Sequence, residues 1–286
     1  MRAYVMDAFA KEVFSGNQAG AVIVENELDE ALMKNIAAEF KHSETAFIRV
    51  IDEKNIVVRY FTPEAEVDLC GHATVAAFSL LRRLGVIGIG EYTAHTKAGK
   101  LKISVGEDCV WRDMAPPRFI RELTDAETAE LFEAYSLDKS DCAADMRPAI
   151  VSTGLADIIM PVKDRAALKR AVQNSAAVCE LSRRFDCVGV HMFALDEGCT
   201  AFCSNFAPLY GIEEECATGT ANAALTYYLY RASKVKVGEV NRFLQGEHMG
   251  RPSSVFSIMT ETEAGPRVRI GGDAVISIAC DILIDE

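Results

Sequence analysis

One stretch of this chain occurs twice, and that duplication constrains the fold more than any other feature. The first copy runs from Phe61-Thr62-Pro63 through an acidic loop to Cys70-Gly71-His72-Ala73-Thr74 and on into an apolar segment. The second runs from Phe206-Ala207-Pro208 through Glu213-Glu214-Glu215 to Cys216-Ala217-Thr218-Gly219-Thr220 and into another. Each reads as strand, Phe-x-Pro turn, acidic loop, cysteine, small residues and helix, with one extra residue between proline and cysteine in the second copy. A chain of 286 residues, half of them hydrophobic, can bury two cores, and the repeat divides it into two related domains of about 140 residues.

A helix start presents unpaired backbone N–H groups and a partial positive charge, so it stabilises an anion placed against it. A cysteine just before the first turn is therefore expected to have a lowered pKa. Small residues at Gly71, Ala73, Ala217 and Gly219 let a substrate carboxylate approach the backbone. Two such units facing each other form a cleft with a proton carrier on either wall, which suits removal of a proton from a carbon beside a carboxylate. Such chemistry needs neither metal nor organic cofactor. The competing reading is that Cys70 and Cys216 are buried small hydrophobes, the commonest fate of a free cysteine.

The net charge of −12 argues against a nucleic-acid partner, which demands a basic face. Nine cysteines without tight spacing fit a reducing cytoplasm rather than a disulfide framework. No apolar run approaches the roughly 20 residues that span a bilayer, and no secretory h-region opens the chain, so a cytoplasmic protein away from membranes is expected. The five histidines lie apart, and Cys199 and Cys203 have no partner pair, so no metal is expected.

In chain order, strands are expected over 2–9 and 20–25, joined by a loop whose Gly16-Asn17 pair signals a turn; Asn17 serves that turn or faces the cleft. Leu32, Met33, Ile36, Ala37 and Phe40 mark an amphipathic helix over 29–40. It runs out at Ser43-Glu44-Thr45 before a strand, and locally Glu44 reads as a solvated carboxylate. Strand 56–62 leads to the first repeat and its buried helix, closed by Arg82, Arg83 and Gly85. His72 opens that helix, where an imidazole is placed to exchange a proton. Gly85 to Gly90 follows a helix and precedes a strand, the reverse of a dinucleotide fingerprint. Three strands then lead to Met114-Ala115-Pro116-Pro117, the expected boundary, giving domains 1–118 and 119–286, with a last strand near 275–286 that can return to the first. In the second half, Thr124 and Glu127 form a capping-box pattern. Beyond it come a strand-turn-strand at 151–160, a helix from Asp164 to about 181, a hairpin over 187–206, the helix after Cys216, and three more strands.

Taken together, Asp7-Ala8-Phe9 with Gly16-Asn17, Ser43-Glu44-Thr45-Ala46-Phe47, Cys70-Gly71-His72-Ala73-Thr74, Ser152-Thr153-Gly154-Leu155, Phe206-Ala207-Pro208, Ala217-Thr218-Gly219-Thr220 and Gln245-Gly246 with Gly250-Arg251-Pro252-Ser253 resemble the PhzF-like phenazine-biosynthesis family, in the superfamily of diaminopimelate epimerase and proline racemase. The resemblance implies an α+β fold of two similar domains, each a curled, mostly antiparallel sheet or barrel around a central helix, with the active site between them and a homodimer as a common state. It also implies that Glu44 is the general acid/base, assisted by His72, Glu215 and Thr220, where Glu215 and Thr220 replace the usual Asp and Ser. Cys70 and Cys216 fall where the epimerase branch carries two catalytic thiols, and Cys-Ala-Thr-Gly at 216–219 is similar to its Cys-Gly-Thr-Gly.

The sequence therefore carries two candidate proton-transfer sets for a cofactor-independent isomerase acting on a small, amino-acid-like carboxylate. In one, Cys70 and Cys216 invert a stereocentre from opposite faces; in the other, Glu44 moves a proton between carbons with help from His72 and Glu215. Asn17, Ser43, Gly71, Ala73, Thr218, Gly219 and Thr220 are the expected substrate-binding residues. The rival from another class is a catalytically silent protein that binds small anions in the same fold.

Overall fold

The computed structural model describes residues 1–284, which form two compact units. The first comprises Met1–Asp113 together with the chain from Gly271 onward, and the second Met114–Ile270. Elements of the first unit are β1 (Arg2–Ala8), β2 (Asn17–Ile23), α1 (Glu30–Phe40), β3 (Thr45–Val50), β4 (Asn55–Phe61), β5 (Glu66–Val67), α2 (Gly71–Arg83), β6 (Gly90–Thr96), β7 (Gly99–Val105) and β8 (Val110–Asp113). The second unit contains β9 (Arg118–Glu122), α3 (Asp125–Glu133), β10 (Ala149–Ser152), β11 (Ala156–Pro161), α4 (Arg165–Arg170), α5 (Ser175–Phe185), β12 (Val190–Leu195), β13 (Ala201–Ala207), β14 (Ile212–Glu215), α6 (Gly219–Arg231), β15 (Val240–Gln245) and β16 (Ser253–Thr262). After β17 (Gly265–Gly272), β18 (Ala274–Asp281) pairs with β1, Arg2 opposite Asp281.

The duplication read in the sequence is a duplication of strand topology. In the first unit β1 and β2 are antiparallel, β2 and β3 parallel, β3 and β4 antiparallel, and β4 pairs with β5 antiparallel and with β6 in parallel. In the second, β10 to β15 repeat this pattern pair for pair. Each curled sheet wraps a 13-residue helix that starts at a glycine and ends at an arginine. Helix α2 packs against β1, β2, β3, β4, β7, β8 and β18, and all of His72 to Leu81 is buried. A helix enclosed by strands has no solvent face, so its sequence is apolar nearly all round.

The outer face of each sheet carries a second layer. Met33, Ile36 and Ala37 of α1 join Ala3, Val22, Phe47 and Phe61 in one core, while α3, α4 and α5 cover the second sheet through Leu131, Phe132, Leu168, Val178 and Leu181. Strands covered on both faces are buried along their whole length, as β13 is, its Ser204 and Asn205 included.

Local signals explain most element ends. Asp29 caps α1 through the N–H groups of Ala31 and Leu32, and the Thr124–Glu127 capping box opens α3 as expected. Two expectations are corrected. Strand β2 starts at Asn17, three residues early, because the turn is completed at Gly16, where φ is +63°, and Asn17 is buried opposite Ala8. The single helix expected from Asp164 to about 181 is two helices. Val172 and Asn174 donate their N–H groups to Tyr135 and Ala134, breaking α4, and the Asn174 side chain then caps α5 through Ala177.

Gly16 provides a stability test. A Cβ there falls 2.2 Å from the Ala8 carbonyl oxygen, whereas at Gly85, with φ +70°, it meets nothing within 4 Å. Gly16→Ala should therefore destabilise the fold by well over the ~1 kcal/mol expected of Gly85→Ala, read as the difference in denaturant midpoint. Equal costs would contradict this account of the turn.

Candidate active site

In the first unit, three elements bring Glu44, Cys70 and His72 together. Lys41 ends α1 in the left-handed conformation, φ +54°, and turns the chain so that Ser43 and Glu44 lead into β3. The Glu44 carbonyl accepts the Gly20 N–H at 3.0 Å, which anchors the residue on β2. At the mouth of α2, Cys70 is the N-cap, in extended conformation and with no side-chain capping bond. Its carbonyl is held by the Thr74 hydroxyl at 2.6 Å, and that hydroxyl pairs with the buried Tyr60 hydroxyl at 2.7 Å.

His72 lies between thiol and carboxylate. Its Nδ1 is 3.4 Å from Cys70 Sγ, and its Nε2 is 3.3 Å from Glu44 Oε2 and 3.4 Å from Ser43 Oγ. The ring is buried, and Glu44 Oε2 is buried without a hydrogen bond among the described residues. An imidazole with one nitrogen towards a thiol and the other towards a carboxylate can pass a proton between them. Cys70 of one candidate set and Glu44 of the other thus meet in this unit, joined through His72. Gly71 and Ala73 lie on the same first turn, whereas Asn17 is the first residue of β2. The ligand atoms of Glu44, Cys70 and His72 all lie within 4.8 Å of one another, so this group could also hold a metal ion. Sequence spacing missed that possibility because the carboxylate comes from another element.

The second unit presents a hydrogen-bonded counterpart. Glu215 Oε2 accepts the Thr218 hydroxyl at 2.6 Å, Gln245 Nε2 donates to the Glu215 carbonyl at 2.6 Å, and Gln245 Oε1 accepts from Thr218 N at 3.3 Å and Asn222 Nδ2 at 2.8 Å. Asn222 Oδ1 lies 3.2 Å from His191 Nε2, and burial lowers the His191 pKa to about 4, so that ring is neutral. Thr220 accepts a bond from Thr153 Oγ1 at its carbonyl, 3.1 Å, which ties α6 to the turn after β10. Gln245, Asn222 and His191 are buried. They carry no local signal beyond the Gln245-Gly246 motif.

The expectation of a cysteine at each helix mouth is corrected here. Thr218, not Cys216, is the N-cap of α6, with a backbone conformation close to that of Cys70, and its carbonyl accepts Asn222 Nδ2 as that of Cys70 accepts the Thr74 hydroxyl. By capping position Gly219 and Thr220 answer to Gly71 and His72, and Cys216 lies two residues before the cap. There its carbonyl accepts the Ser253 hydroxyl at 2.6 Å, and Gly246, φ +80°, packs so closely that a Cβ on it would fall 2.7 Å from that oxygen. Burial, and then the neighbouring Glu215, push the Cys216 thiol up to about 11, so it is not the lowered thiol the repeat suggests. The same unit buries Asp157 of β11, and desolvation followed by Glu215 raises its pKa to about 7.

Two units of repeated strand topology, each a curled sheet around a helix whose N-cap makes no side-chain bond, define the α+β class of this fold. Within it, the family model of phenazine biosynthesis-like proteins, PhzC-PhzF, matches residues 6–280, and the chain belongs to that family. It is 32% identical to the uncharacterized isomerase YddE of Escherichia coli, over 96% of this chain and 95% of the relative. A PhzF-family phenazine biosynthesis protein of Bacillus anthracis superposes with a TM-score of 0.90 at 26% identity, covering 99% of both chains. A predicted epimerase of Pseudomonas aeruginosa gives 0.80 at 26% identity, again over 99% of both. No helix among the described residues is long and apolar enough to cross a membrane.

Proposed function

We propose that the protein is a cofactor-independent isomerase that moves a proton on a small, amino-acid-like carboxylate, with Glu44 as the proton carrier and His72 as its partner. The observation that carries this reading is the buried, hydrogen-bond-free Oε2 of Glu44, 3.3 Å from the buried His72 ring. A carboxylate oxygen held without a donor is free to take a proton from carbon, and the imidazole beside it is placed to exchange a proton with it. The first-turn N–H groups of α2 favour the anion that forms when the proton leaves. Cys70, within reach of His72 Nδ1, resupplies a proton to the ring, so its thiol serves the glutamate route.

Inversion by two thiols is the weaker reading, since Cys216 lies off the helix mouth with a raised pKa. The test is incubation in D2O with a panel of small amino-acid-like carboxylates, followed by proton NMR. Wild type should place deuterium on carbon, and Glu44→Gln should not. Carboxylate binding with no exchange by the wild-type protein would favour the silent anion binder and reject the isomerase.

A further inference from the structure

Arg112 belongs to none of the motifs above, yet it is among the most deeply buried charges of the first unit. On β8 the side chains alternate, so Val110 and Arg112 turn inward while Trp111 is only half-buried. Arg112 is 5% exposed. Its Nη2 lies 3.5 Å, and its Cζ and Nε 3.9 Å, from the point a Cβ on Gly71 would occupy, so the guanidinium rests against the first residue of α2 in space that glycine leaves open.

No acceptor for this guanidinium is found among the described residues; its ionisable neighbours are Tyr60 and Cys70. Burial raises the Tyr60 phenol far above neutrality, so Tyr60 brings no negative charge. Arginine does not escape by losing its proton under ordinary conditions. A buried guanidinium without a carboxylate costs several kcal/mol, a cost that an arriving anion would offset. The α2 N-terminus beside it is short of acceptors too, because Cys70 makes no side-chain cap.

We propose that Arg112 is the anion anchor of the α2 mouth, where its guanidinium and the first-turn N–H groups of α2 together receive the carboxylate of a small ligand. Arginine's planar fork matches a carboxylate in two parallel bonds, which fixes the orientation of the ligand as well as its charge. A Cβ at position 71 would meet the guanidinium at ordinary contact distance, so glycine there leaves the approach to the guanidinium and the first turn more open. A carboxylate held there lies one residue from His72 in sequence, on the turn whose ring faces Glu44. This assignment rests on the proton-transfer reading for what happens to the ligand afterwards, and not for the binding of the anion.

The test needs no knowledge of the substrate. Cys70 is alkylated with iodoacetate, an anion, or with iodoacetamide, its neutral counterpart, and the rates are read by mass spectrometry at Cys70 and at Cys179 on α5 as a reference thiol. An anion anchor should make the iodoacetate-to-iodoacetamide ratio at Cys70 exceed that at Cys179 by about tenfold or more, the scale of electrostatic focusing in a cleft. Arg112→Met should bring the ratio down to the reference value, and Arg112→Lys should keep much of the preference. As a second measurement, acetate should raise the melting temperature of wild type above that seen with acetamide at equal ionic strength, and should not do so for Arg112→Met.

Equal ratios at both thiols, a preference that survives Arg112→Met, or, if Cys70 resists both reagents, no acetate-specific stabilisation of wild type would each overturn the assignment. Glu44→Gln should retain both the ratio and the acetate effect. If it does while wild type shows no isotope exchange, the anion site stands and the isomerase reading falls.

Discussion

Glu44→Gln is expected to lower solvent-deuterium exchange by about 10²–10⁴-fold, the usual contribution of a positioned general acid/base. The amide matches the carboxylate in shape, so the packing around β3 and the Gly20 bond to the Glu44 carbonyl persist, and the loss is one of proton affinity alone. Oε2 makes no hydrogen bond among the described residues, so the contact altered there is the 3.3 Å approach of His72 Nε2. His72→Asn should act in the same direction but less strongly, because it removes the relay to Cys70 and leaves the carboxylate in place. Measured as rate constants on one substrate, the order wild type, His72→Asn, Glu44→Gln is expected. A His72 variant less active than the glutamate variant would move the proton carrier to the imidazole.

Asp157→Asn should show the largest effect on stability, and a pH-dependent one. Burial first, and Glu215 second, raise Asp157 from 3.8 to about 7 in the folded protein. The folded state then binds more protons than the unfolded chain between these values, so the group's contribution to stability is full below pH 4 and is lost as pH rises through 7. A displacement of that size corresponds to roughly 4 kcal/mol. The asparagine variant has no proton to lose. It should match wild type near pH 4 and exceed it at pH 8 by up to that amount in urea unfolding. A variant less stable than wild type by the same margin at both pH values would show that Asp157 is held as a hydrogen-bonded carboxylate.

What the sequence made legible follows from how local each signal is. The two Phe-x-Pro-to-helix stretches, the Asp29 and Thr124 caps and the arginines ending α2 are short-range patterns, and each lies where its pattern places it. The break between α4 and α5 was hidden because it depends on carbonyls of Ala134 and Tyr135, some 40 residues upstream. At the candidate site, Cys70 and His72 stand out by position in the repeat. Glu44 did not, since its neighbours describe an ordinary solvated junction and only the family resemblance singles it out. The cysteines looked equivalent because one inserted residue hides the shift in capping position, which the Thr218 carbonyl and its bond from Asn222 reveal. Arg112 and Asp157 are inward-facing charges on strands, and nothing in a strand's local sequence tells which face closes on a helix.

The central claim is that proton transfer belongs to the glutamate beside His72 and not to a pair of thiols. The most direct measurement is the rate at which solvent deuterium enters the substrate carbon, compared between a Cys70→Ala/Cys216→Ala double variant and Glu44→Gln. The account predicts that the double variant retains exchange within about tenfold of wild type while the glutamine variant falls by about 10² or more. Exchange abolished in the double variant and preserved in Glu44→Gln would contradict it.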